Sequence, residues 1–117
     1  MNIPPLTSSK RPARSWTFLN NHAHTLICLA RNPDAVLRDV AQLVGITERA
    51  VQLITRDLVE CGVLLRQRVG RCNTYIINPH YPLRHPLESD HTIEELLSML
   101  LSEGELQLLK ERWEACQ

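Results

Sequence analysis

With 117 residues, 44% of them apolar and 22% charged, the chain has the length of one domain and an ordinary globular composition. Two Trp, two Tyr and one Phe make for an aliphatic core, and no stretch approaches the roughly 20 apolar residues of a membrane span. The net charge of zero hides a split: residues 1–86 carry 11 Lys+Arg against 5 Asp+Glu, and residues 87–117 carry 2 against 8. Such a split points to a polyanion-binding body with an acidic appendage. The basic part is almost all arginine, the residue suited to forked contacts with phosphates and guanine edges.

The first 14 residues hold three prolines with Lys10, Arg11 and Arg14, and read as a mobile basic arm. They contain no apolar block of signal-peptide length, so a cytoplasmic chain with reduced thiols is expected. From Leu19 to Ala30, apolar residues at 19, 23, 26, 27 and 30 form one helical face, capped by an Asn and stopped at Asn32-Pro33. A second helix is predicted from about Leu37 to Val44, with Val40, Ala41 and Val44 inward and Gly45 ending it. Thr47 then caps a third helix that runs to Cys61 and stops at Gly62.

After Gly62 the period becomes extended. Two β-prone runs, Val63–Arg68 and Cys72–Ile77, flank Val69-Gly70-Arg71 and predict a hairpin. Residues 79–91, rich in proline, read as an extended connector. Thr92 and Glu95 have capping-box spacing before Ile93, Leu96, Leu97, Leu100 and Leu101. Ser102 and Glu105 repeat it, so Ser102-Glu103-Gly104 is expected to kink or turn before a last helix with Leu106, Leu109 and Trp113. The fold class is therefore mainly α with a small β-hairpin, an α+β chain. Its expected units are an arm (1–14), a helix-and-hairpin domain (15–78), a connector (79–91) and an acidic leucine-rich helical segment (92–117).

Residues 37–56, LRDVAQLVGITERAVQLITR, carry the pattern of a bacterial helix-turn-helix. Its small fifth position is Ala41, where two helices cross; its ninth is Gly45, the sharp turn; its β-branched fifteenth is Val51. Val40, Val44, Ile46 and Ile54 fill the apolar positions. With the hairpin as a wing, the run from Ser15 to about Asn78 resembles MarR- and ArsR-like winged helix-turn-helix transcription regulators. That resemblance implies a fold and a broad role: binding double-stranded DNA.

Val51, Ile54 and Leu58 bury one face of the third helix, so the opposite face carries Arg49, Gln52, Leu53, Arg56 and Glu60. In a helix-turn-helix, the start of this helix meets base edges in the major groove. Arginine pairs with guanine and glutamine with adenine, which makes Arg49, Gln52 and Arg56 the expected reading stripe. Thr47 and the first-turn N–H groups are candidates for a phosphate contact. Arg66, Arg68 and Arg71 place a cationic wing against the flanking backbone or minor groove.

The leucine-rich end fits either folding back on the first helix or pairing with a second chain. The reading adopted is a homodimer through the C-terminal helices, as two-fold operators require. Repression by occluding a promoter is the simplest mechanism for a chain of this size. The alternatives are a winged-helix protein-interaction module and a redox- or metal-responsive regulator. Cys72, beside Arg71 on the wing, is the candidate redox residue. The cysteines at 28, 61, 72 and 116 include no C-x-x-C pair. His24 and Cys28 share a helix face, but two ligands do not make a metal site. His22 points elsewhere, and His80, His85 and His91 lie in or beside the connector with no evident partner. No metal or other cofactor is expected, nor any enzyme activity: the chain has no Gly-rich phosphate loop, nucleophile elbow or paired carboxylates on an apolar cleft. The small effector, if any, is not identified by any residue.

Overall fold

The computed structural model describes residues 15–117, and the basic arm of residues 1–14 lies outside them. Helix α1 (Asn21–Arg31) starts where the Asn20 side chain accepts a hydrogen bond from the Ala23 N–H, and ends at Asn32. Its buried face is Thr25, Leu26, Leu29 and Ala30. This face is rotated from the expected one: Leu29 is in and Ile27 is only half-buried. The reason is tertiary, because the last helix of the chain packs on α1 and widens its covered side.

Helix α2 (Leu37–Val44) ends at Gly45, whose φ of 88° is in the left-handed region. There the amides of Gly45 and Ile46 both donate to the Ala41 carbonyl, at 2.8 and 3.1 Å. Helix α3 (Glu48–Cys61) is capped by Thr47 and closed by Gly62 at φ 94°. A side chain at either glycine would be strained there, which is why glycine stands at both helix ends.

Strands β1 (Leu64–Val69) and β2 (Cys72–Ile77) form an antiparallel hairpin with Val69 opposite Cys72. The two-residue turn Gly70-Arg71 has positive φ only at Gly70, the sign pattern of a II′ turn. The base of the hairpin, with Leu64, Tyr75, Ile76 and Ile77, is in the core. Residues 65–73 are exposed, so the tip projects into solvent. The Asn32–Ala35 segment flanks β2: the Tyr75 N–H donates to Pro33 O, and the Thr74 hydroxyl donates to Asp34 Oδ1.

Residues 79–91 are not simply extended. Pro79 is fully buried, Leu83 N–H donates to His91 O, and Ile93 N–H donates to Tyr81 O. The chain thus leaves and re-enters at one place, with Pro82 bridged to Thr92. His91 has a partner after all, since its Nδ1 lies 2.8 Å from Glu95 Oε2. That hydrogen bond holds the His91 pKa above its ordinary value and the Glu95 pKa below its own.

Helix α4 (Ile93–Ser98) and helix α5 (Glu103–Ala115) each begin with the anticipated capping box, Thr92/Glu95 and Ser102/Glu105. The break between them falls at Met99–Ser102, a little earlier than expected, so Leu100 and Leu101 leave the helix. Ile93, Leu97, Leu101 and Leu109 join Leu26, Leu29, Val40 and Val51 in one continuous core. Much of the leucine content that suggested a second chain is therefore buried within the first. Arg31 ties the two parts together by donating from Nη2 to Leu100 O at 3.0 Å. Met99 (72% exposed) and Leu108 (52% exposed) remain on the surface of this segment.

Two stability outcomes follow. Leu97 is completely buried, and Leu97→Ala is expected to cost about 3 kcal/mol. Urea unfolding should show α-helical and tertiary signals lost together; early, separate loss of the C-terminal helices would contradict a single core. Thr25 is also fully buried, and its hydroxyl has no hydrogen-bond partner among the described residues. Thr25→Val is expected to stabilise by about 1 kcal/mol, because it removes an unsatisfied buried polar group at constant shape. A lower urea midpoint for this variant would contradict that account.

Candidate nucleic-acid interface

The geometry of α3 comes from what its inner face must do. Val51, Ile54, Thr55 and Leu58 are buried against the rest of the chain, and the Thr55 hydroxyl satisfies itself on Gln52 O at 2.9 Å. Val40, Ala41 and Val44 of α2 are buried in the same core. The small Ala41 side chain lets α2 and α3 approach.

With that face spent, Arg49, Gln52 and Arg56 are left exposed along the opposite side. Arg49 Nη1 and Gln52 Oε1 lie 3.5 Å apart, at the limit of a hydrogen bond. Arg56 Nε is 4.0 Å from Glu60 Oε1, an exposed contact of little energetic weight. These weak tethers leave the three side chains available to an external ligand. Leu53, the awkward member of the outward face, is half-buried. Thr47 caps the helix, its Oγ1 accepting from the Ala50 N–H at 3.0 Å, and its hydroxyl proton is left for an outside acceptor.

The hairpin register sorts the wing residues. Arg66 opposite Tyr75 and Arg68 opposite Asn73 share one face, while Gln67 and Cys72 belong to the other. Arg71 occupies the turn beside Gly70, and all three arginines are exposed. Arg68 Nε reaches only as far as Gly70 O, at 3.4 Å. The hairpin base packs on α3, so stripe and wing belong to adjoining elements.

Cys72 is exposed at the tip. The C-terminal end of α5 reaches this same hairpin face, where Gln67 Nε2 donates to Cys116 Sγ at 3.3 Å. Cys28 is different: burial pushes its thiol pKa up, against the smaller opposing effect of Arg31. Among the described residues no cluster of three or more His, Cys, Asp or Glu side chains has metal-binding geometry, and no helix is long and apolar enough to cross a membrane.

Another pairing also escaped sequence reading. His22 Nε2 and Asp57 Oδ2 lie 3.0 Å apart although 35 residues separate them. No periodicity signals such a pair, because it depends on how the start of α1 meets the end of α3.

No family model matches the chain, and no curated protein matches it. Among solved structures, the crystal structure of the zinc-dependent MarR-family transcriptional regulator AdcR in its Zn(II)-bound state is similar. It shares 17% identity at a TM-score of 0.42, over 92% of this chain and 79% of that one.

The thiols make the exposure pattern measurable. Under native conditions Cys72 is expected to react fastest with a maleimide and Cys28 slowest, since burial and a raised pKa both withhold its thiolate. Peptide mapping after timed labelling reads the order directly. Labelling of Cys28 as fast as Cys72 would contradict the packing of α1.

Proposed function

We propose that the chain is a small winged helix-turn-helix transcription regulator that binds double-stranded DNA sequence-specifically as a homodimer. The observation that carries this reading is the exposed Arg49–Gln52–Arg56 stripe on a helix whose other face is fully engaged in the core. The stripe reads base edges in the major groove, and Thr47 with the first-turn amides holds a phosphate. Arg66, Arg68 and Arg71 clamp the flanking backbone or minor groove. Residues 15–78 form the DNA-binding unit. The acidic segment 92–117 forms the dimer contact, with exposed Met99 and Leu108 its apolar part, and sets the two α3 helices roughly 34–36 Å apart. The regulator acts in the cytoplasm and represses by occupying a promoter.

A redox-responsive form of the same function draws on one observation: the exposed thiol of Cys72 shares its hairpin face with the Cys116 contact. Oxidant would then weaken DNA binding, and Cys72→Ser would abolish that response.

Fluorescence anisotropy on a duplex from upstream of the chain's own gene, beside a scrambled duplex, tests the main reading. Specific binding is expected, with log K falling by roughly 0.9 per neutralised phosphate as log salt rises. Arg49→Ala is expected to cost about 1–3 kcal/mol on the specific duplex and to relax its sequence preference. Arg68→Ala should weaken both duplexes alike and lower the salt slope by about 1. No binding at low salt by the folded protein would overturn the proposal and turn attention to a protein-interaction module.

A further inference from the structure

A groove of about 740 Å³ opens between the start of α1, the last turns of α3 and the loop at Tyr81–Arg84. That volume lies within the range of small-molecule sites. Its floor is made of core residues, among them Leu26, Leu58, Val63 and Ile93. Phe18 and Tyr81 add aromatic walls. Phe18 is 92% exposed and stacks edge-on with Trp16, itself 72% exposed, at 4.9 Å. Phe18 thus stands uncovered at the edge of the groove, with Trp16, which does not line it, against its ring.

The polar lining has a sign. Asp57, Glu60 and Glu88 line the groove together with Arg84 and His22. His22 is already engaged with Asp57 at 3.0 Å, and Glu60 meets Arg56 only at 4.0 Å. Among the described residues neither Glu88 nor Arg84 forms an ion pair. Three carboxylates against one guanidinium leave the groove negative.

We propose that this groove binds an amphiphilic organic cation: an apolar body seated on the aliphatic floor, with its positive charge held by the carboxylates and by the faces of Phe18 and Tyr81. An organic anion would find only Arg84 and would be repelled by the acids. A second copy of the chain docking here about a two-fold axis would bury both copies' carboxylates in one interface with a single Arg84 from each, which is unfavourable. The binding step stands whether or not the chain binds DNA. Because α3 supplies one wall of the groove and carries the Arg49–Gln52–Arg56 stripe, any difference in cation affinity between free and DNA-bound protein appears equally as a difference in DNA affinity.

Isothermal titration of the full chain with tetraphenylphosphonium and with tetraphenylborate, ions of like shape and opposite charge, tests the proposal. The phosphonium is expected to bind saturably, one per chain, at least about tenfold more tightly than the borate. A Glu60→Gln/Glu88→Gln double variant should keep its melting temperature and lose at least about fivefold in phosphonium affinity, since both side chains are at the surface. Several results overturn the proposal: equal or tighter binding of the borate, no saturation of the phosphonium below about 1 mM, or unchanged affinity in the double variant. A chain that dissociates from dimer to monomer on Leu83→Glu while binding neither ion would make the groove a subunit interface and equally overturn it. Failure here with intact binding to duplex DNA leaves the regulator reading standing, so the two are separable.

Discussion

Helix α1 is the post on which the molecule is built, and its face of Thr25, Leu26, Leu29 and Ala30 is the constraint the rest obeys. It packs against α2, α3, β2 and α5. Each of those elements is too short or too one-sided to be stable alone: a six-residue strand, an eight-residue helix, a hairpin with one buried end. Their apolar faces become a core only because α1 offers a surface to all of them. The packing is dense enough to leave the Thr25 hydroxyl without a partner among the described residues. That defect is tolerated because the same turn of helix carries Leu26 and Leu29 into the centre.

This arrangement makes α3 two-sided in function as well as in packing. Its inner residues Val51, Ile54 and Leu58 are committed to the core, which fixes the orientation of the opposite face. Arg49, Gln52 and Arg56 then project from a rigid scaffold and not from a loop, so little order has to be imposed on the backbone when a ligand is met. The last turns of α3 take part in a second environment, the groove shared with the start of α1 and the Tyr81–Arg84 loop. One helix therefore presents a cationic stripe near its start and an acidic wall near its end.

The acidic C-terminal segment is where the strongest sequence signal carried two meanings. A run of leucines at helical spacing says that a face is buried, but not against what. Ile93, Leu97, Leu101 and Leu109 are covered by the chain's own core, whereas Met99 and Leu108 stay on the surface. The pinned loop before α4 decides this outcome. Amides of Leu83, Ile93 and Glu94 find carbonyls at His91, Tyr81 and Pro79, and that brings the segment back onto α1 in place of a free extension.

Local chemistry was legible in the residues themselves. Asn20, Thr47, Thr92 and Ser102 cap the helices whose starts they mark, and Gly45, Gly62 and Gly70 adopt the positive φ that their turns need. These signals act within four or five residues, so the order of elements and the inner face of α3 could be read in one dimension. The exposed stripe followed from the same helical period. Other features depend on which elements meet: the rotated face of α1, the His22–Asp57 pair, the Gln67–Cys116 contact and the acidic groove. Each joins residues far apart in the chain, through side chains whose neighbours no periodicity names. Sequence alone thus determined where the chain turns and which sides are apolar; the tertiary structure decided what each apolar side is pressed against, because burial is satisfied by any complementary surface and only packing selects one.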